Sequence, residues 1–69
     1  MRMYETASDT IKEWSRVLRQ RYGVGFRVYA TEKETINEWS RGLAIKYGKP
    51  FPLKDTTMET LKEWDKLIK

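Results

Sequence analysis

The chain has 69 residues, no cysteine and no histidine, and 14 basic against 10 acidic side chains, which gives a formal net charge of +4. We expect residues 1–69 to form one domain whose stability comes from close packing or from a partner subunit, since no disulfide can form. The absence of cysteine and histidine excludes thiolate nucleophiles, the usual general base near neutrality, and nitrogen or sulfur metal ligands. We therefore expect no enzyme, no metal and no cofactor.

An internal repeat of 25 residues organises the sequence. It divides the chain into residues 1–25, 26–50 and 51–69, here called units 1, 2 and 3. Nine of the fourteen positions of 10–23 are identical in 35–48. Similarity at a fixed period is typical of stacked or duplicated supersecondary units. The leucine-rich, ankyrin and tetratricopeptide patterns do not fit this repeat.

Each unit opens a helix in the same way. A threonine stands three residues before an acidic residue, which is the spacing of a capping box; these helix caps are Thr6, Thr31 and Thr56. Apolar residues then recur at spacings of three and four, which is typical of a helical stripe that faces a core. The predicted core residues are Ile11, Trp14, Leu18, Ile36, Trp39, Leu43, Leu61 and Trp64. The pattern predicts helices at 7–22, 32–47 and 57–68.

Before each helix the hydrophobic period changes to two. Residues 24–30 alternate apolar with polar side chains, and the repeat equates them with 1–5 and 51–54. We therefore expect three tandem strand–helix units in a two-layer α+β or α/β domain, with the helices on one face of a small parallel sheet. A three-helix bundle joined by extended linkers is the alternative. A helix-turn-helix is excluded because the linkers are longer than the three or four residues of that motif.

The uncovered face of the predicted sheet would carry the candidate binding residues. All six arginines lie in units 1 and 2, and guanidinium groups bind phosphate while tyrosine rings stack on bases. The candidates on the sheet are Arg2, Tyr4, Arg27, Tyr29 and Lys54, and those at a basic helix end are Arg19 and Arg21.

Two functions fit such a face. We expect a non-catalytic protein-interaction or inhibitor module that binds a partner protein or a second copy of itself, with aromatic side chains as anchors. The alternative is a nucleic-acid-binding protein whose cations contact the phosphate backbone. A compact, basic, cysteine-free chain also resembles, in general style, products of viruses and other mobile elements, which typically bind host macromolecules. No apolar run approaches a membrane span and no signal-peptide core follows Met1, so we expect a cytoplasmic protein.

Overall fold

The computed structural model describes residues 1–68, and within them it contains three α-helices and no strand. Helix α1 spans Ala7–Tyr22, α2 spans Glu32–Tyr47 and α3 spans Thr57–Ile68, with a short 3₁₀ turn at Val24–Phe26. The helices therefore lie at the predicted ranges. The prediction of strand–helix units in a two-layer α+β or α/β domain is wrong, and the three-helix bundle with extended linkers fits instead. Lys69 lies outside the described residues.

The segments predicted to be strands pack along their own helices. We call the corresponding segments of the three units arms: residues 1–5, 26–30 and 51–55. The second predicted strand, 24–30, begins instead with the 3₁₀ turn at Val24–Phe26. In unit 1 the indole Nε1 of Trp14 donates a hydrogen bond to the carbonyl oxygen of Arg2 at 2.7 Å, and Thr10 Oγ1 accepts one from the backbone N–H of Tyr4 at 3.1 Å. The same two bonds recur in the other units at distances of 2.9 to 3.0 Å. In unit 2 the indole of Trp39 donates to the carbonyl oxygen of Arg27, and the N–H of Tyr29 donates to Thr35 Oγ1. In unit 3 the indole of Trp64 donates to the carbonyl oxygen of Pro52, and the N–H of Lys54 donates to Thr60 Oγ1.

These bonds explain why no sheet forms among residues 1–68. A buried backbone group needs one partner, and side chains can supply it as well as a neighbouring strand can. The tryptophan and threonine of each helix bind the arm's second carbonyl and fourth N–H, the groups that a strand ladder would use. Only the first arm residue of units 2 and 3 packs into the core: Phe26 and Phe51 are buried, while the third residues Val28 and Leu53 are about half exposed.

The first turn of each helix is closed by its threonine. The hydroxyl oxygens of Thr6, Thr31 and Thr56 accept hydrogen bonds of 3.0, 3.0 and 3.1 Å from the backbone N–H groups of Asp9, Glu34 and Glu59. Such caps typically stabilise a helix by about 1 kcal/mol. At the other end, α2 stops at Gly48, whose φ of 67° is a left-handed conformation that favours glycine.

The core forms where the three helices meet. The three tryptophans are at most 1% exposed. Around them pack Ile11, Leu18, Phe26, Ile36, Leu43, Phe51, Leu61 and Ile68. Each tryptophan satisfies its indole N–H on an arm carbonyl, so a large ring is buried without an orphaned donor.

The units are joined head to tail and the last joins the first. Ser15 Oγ donates to the carbonyl oxygen of Phe26 at 2.8 Å, and Ser40 Oγ donates to that of Phe51 at 2.6 Å. In unit 3 the equivalent position is Asp65, whose Oδ1 lies 3.4 Å from the ammonium group of Met1. Because the repeat equates Met1 with the two phenylalanines, the three junctions together close the bundle into a ring.

Candidate functional site

Two arginine–tyrosine pairs project from the arms of units 1 and 2. Arg2 Cζ lies 5.4 Å from the ring centroid of Tyr4, and Arg27 Cζ lies 4.6 Å from that of Tyr29. Both arginines are exposed and both tyrosines are half-buried. Cation–π contact holds each guanidinium beside its ring, and the tryptophan and threonine bonds of the arm fix the backbone of the pair.

The predicted common face of these residues does not exist, because there is no sheet in the part of the chain described here. Tyr4 lines one cleft and Tyr29 lines another, which it shares with the start of α2. In unit 3 the equivalent arm positions are occupied by Pro52 and Lys54, so the aromatic pair is absent there. Arg19 uses its Nε to donate to the carbonyl oxygen of Ser15 on its own helix.

Several charged side chains instead lie close together around Tyr4. An open cleft of about 230 Å³, here called the Tyr4 cleft, lies between the first arm and α1. It is lined by Met1, Arg2, Tyr4, Glu13, Trp14, Arg16, Val17 and Arg21. Of the predicted binding residues it therefore contains Arg2, Tyr4 and Arg21. The sequence analysis missed Arg16 and Val17, although the spacing of 13, 16, 17 and 21 places those residues on one side of α1.

The single carboxylate of the Tyr4 cleft is already paired. Glu13 Oε1 lies 2.9 Å from Arg16 Nη2. The hydrogen bond from Arg16 to Glu13, with the attraction between their charges, raises the pKa of the Arg16 guanidinium above its ordinary value. The cleft thus keeps two arginines, Arg2 and Arg21, without a carboxylate partner among residues 1–68.

A second cluster joins the ends of α1 and α2. Tyr22 Oη donates to Tyr47 Oη at 2.9 Å, and the two rings meet edge to face with centroids 6.1 Å apart. Burial raises the pKa of the Tyr47 hydroxyl. Lys46 Nζ lies 5.6 Å from the centroid of Tyr22. Sequence alone assigns these tyrosines only to helix ends, since their contact spans the two units.

Most of the cationic side chains in units 1 and 2 have no acidic partner. Across residues 1–68 the side-chain ion pairs are Arg16 with Glu13 and Lys66 with Glu63, and Asp65 faces the Met1 ammonium. The unpaired arginines are Arg2, Arg19, Arg21, Arg27 and Arg41. Residues 1–50 hold ten basic and six acidic side chains, whereas residues 51–69 hold four of each. The positive charge is therefore concentrated in units 1 and 2.

Two further observations concern metal binding and membrane-spanning helices. Residues 1–68 contain no group of three or more acidic side chains placed to hold a metal ion. None of the helices described has the length and apolar character needed to cross a bilayer.

Comparison with known proteins finds no match to this chain. No family model, no curated protein and no solved structure matches the chain. The function must therefore be argued from the residues and their geometry.

Proposed function

We propose that the protein is a non-catalytic, cytoplasmic nucleic-acid-binding protein that uses the arginines and tyrosines of units 1 and 2. This proposal rests on the comparison of unit 3 with units 1 and 2. Unit 3 makes the same two arm bonds, from Trp64 to Pro52 and from Lys54 to Thr60, with neither an arginine nor a tyrosine on its arm. The fold therefore does not require the Arg–Tyr pairs of the other arms.

The chemistry of these side chains favours a polyanion. A guanidinium binds phosphate through two parallel hydrogen bonds, and an arginine without a carboxylate partner has no ion pair to break before it binds. Five arginines of units 1 and 2 are in this state within the described residues. Two of them, Arg2 and Arg27, already lie against tyrosine rings, which reduces the freedom that they lose on binding.

Fluorescence anisotropy with labelled oligonucleotides over a series of salt concentrations tests the proposal. We expect affinity to fall steeply with salt, because cations on the protein displace counterions from the phosphates. The double variant Arg2→Ala/Arg27→Ala should weaken binding and reduce the slope of log K against log salt by about 0.7 to 0.9 for each phosphate that the protein no longer neutralises.

The matched control is Lys33→Ala/Lys62→Ala, which makes the same change in net charge on helices α2 and α3, away from the two arms. If the control weakens binding as much as the arginine variant does, the effect is one of overall charge and the arginine site is wrong. If no oligonucleotide binds at low salt, the proposed function is wrong.

Two exposed aliphatic side chains favour a second candidate, a protein-interaction or inhibitor module. Val24 is 84% exposed in the turn after α1, and Ile45 is 80% exposed on α2. Large aliphatic groups in this state can anchor a protein partner or a second copy of the chain. Light scattering tests self-association: a dimer mass that returns to the monomer mass in Ile45→Glu would support this candidate. A monomer at all concentrations would leave only a different protein as partner.

A further inference from the structure

We infer that the Tyr4 cleft takes one unpaired base of a single-stranded nucleic acid, with the flanking phosphates on Arg2, Arg16 and Arg21. The inference rests on the proposed function and goes beyond it, because it names the form of the nucleic acid and the position of a base. It follows from the shape, the lining and the charge of the cleft, and from the comparison with unit 3.

The walls of the cleft suit a flat ring. Tyr4 is held at the wall by the bond from its backbone N–H to Thr10, and the residue is half-buried. Arg2 Cζ lies 5.4 Å from the centroid of the Tyr4 ring, so the base stacks on the part of the ring that Arg2 leaves uncovered. The floor includes Trp14, whose indole N–H is occupied by the carbonyl oxygen of Arg2, and Val17, which is half-buried. An aromatic wall over an apolar floor is the arrangement with which proteins stack single-strand bases.

The rim of the cleft supplies cations for the strand on either side of that base. Arg2 and Arg21 have no carboxylate partner among the described residues, and Arg16 shares its charge with Glu13. Glu13 opposes an anion, but its pairing with Arg16 offsets its charge. The set of three arginines and one carboxylate leaves the cleft with a net positive charge, which complements a phosphodiester.

The dimensions and composition favour a single strand over a duplex. Bases in a duplex are stacked on each other and offer no free ring face, so an aromatic wall adds nothing to duplex binding. A cleft of about 230 Å³ is large enough to admit one base ring. The related surface of unit 3 is lined by Lys54, Glu59, Lys62, Glu63 and Lys66, which are charges without a ring. The repeat thus builds a ring-binding cleft in unit 1 and a purely charged surface in unit 3.

The test compares a labelled oligothymidine with a duplex of the same length, on the full chain and on variants at Tyr4. We expect the single strand to bind more tightly than the duplex. Tyr4→Leu should weaken single-strand binding by about 5- to 150-fold, which is the usual effect of losing one stacked base. The same variant should leave duplex affinity and the salt slope unchanged, because the arginines remain. Tyr4→Phe keeps the ring and should bind as the parent chain does.

A crosslinking measurement on the unaltered chain keeps the inference testable even if Tyr4→Leu does not fold. Oligothymidine that carries a photoreactive 4-thiothymidine should crosslink to the peptide that contains Tyr4, as read by mass spectrometry. Crosslinks confined to peptides that contain none of the residues lining the Tyr4 cleft would overturn the inference.

The results separate the inference from the proposed function. Equal affinity for duplex and single strand, with Tyr4→Leu neutral and Arg2→Ala/Arg27→Ala weaker, would overturn the inference and leave nucleic-acid binding in place. Equal losses for both strand forms in Tyr4→Leu would also overturn it. Failure of both oligonucleotides to bind at low salt would overturn the proposed function and the inference together.

Discussion

At the scale of single residues, Phe26 packs closely on Gly42. The Phe26 ring is 4% exposed and lies between α1 and α2, where its centroid is 5.6 Å from Tyr22 and 6.3 Å from Trp39. A Cβ on Gly42 would lie 2.9 Å from Phe26 Cζ. This contact accounts for a glycine inside α2, a position that otherwise costs about 1 kcal/mol relative to alanine.

We expect Gly42→Ala to lower the free energy of unfolding by about 1 kcal/mol. Overpacking a buried ring usually costs about 1 to 3 kcal/mol, and the gain in helix propensity offsets part of that cost. Urea denaturation followed by circular dichroism measures the change. The control is Gly25→Ala, because no atom lies within 4 Å of its Cβ position and its φ is not in the left-handed region. A Gly42→Ala protein more stable than the parent would show that the Phe26 ring moves aside at no cost.

At the scale of elements, each arm and its helix form one local unit held by side-chain bonds. Thr35 is fully buried; its Oγ1 accepts from the N–H of Tyr29 at 2.9 Å and donates to the carbonyl oxygen of Thr31 at 2.8 Å. The equivalent Thr10 and Thr60 make the same two bonds. One hydroxyl therefore ties the arm to the helix and the helix to its cap residue.

We expect Thr35→Val to destabilise the protein by about 1 to 3 kcal/mol, because it leaves the Tyr29 N–H without an acceptor in a shape-matched site. Hydrogen exchange should show faster exchange of the Tyr29 amide, and denaturation should show a lower midpoint. Thr57→Val is the control, since the hydroxyls that bind the arms are those of Thr10, Thr35 and Thr60. Unchanged protection of the Tyr29 amide in Thr35→Val would contradict the role of this hydroxyl.

At the scale of the whole molecule, stability depends on closing the ring. Helix α3 contacts both α1 and α2. Phe51 packs on Tyr47 and on Trp64, with centroids 5.5 and 5.9 Å apart, so it links units 2 and 3. Asp65 and the Met1 ammonium link units 3 and 1. Each unit therefore buries its apolar surface against both others.

We expect a fragment of residues 1–50 to be largely unfolded. Its two helices have 16 residues each, a length that is marginal in water without tertiary packing, and the fragment lacks Phe51, Leu61 and Trp64 from the core. Far-ultraviolet circular dichroism during heating measures this. The full chain should unfold in one cooperative transition, and so should the fragment after addition of a peptide of residues 51–69. A cooperative transition of the fragment alone would show that two units fold independently.

The candidate site was only partly predictable from the sequence. The same Arg-x-Tyr spacing occurs twice in the repeat, and it identifies Arg2 with Tyr4 and Arg27 with Tyr29 as candidates. It could not show that Arg16 faces Tyr4, since that depends on where the arm lies against α1. The assignment of five candidates to one face was wrong because it depended on a sheet; they are Arg2, Tyr4, Arg27, Tyr29 and Lys54.

The sequence by itself determined the helices, and the tertiary structure alone decided what the arms became. Helix ranges depend on local signals, namely the threonine caps, the stripe with spacings of three and four, and the glycine stops, and all of these lie within one turn of the residues that they affect. A segment that alternates apolar with polar residues can pair with a neighbouring strand or pack against its own helix, and the alternation does not distinguish the two. The arms pack against their own helices because side chains of those helices bind the arm backbone. In unit 2 these are the indole N–H of Trp39 and the hydroxyl of Thr35, and the other units have the same pair.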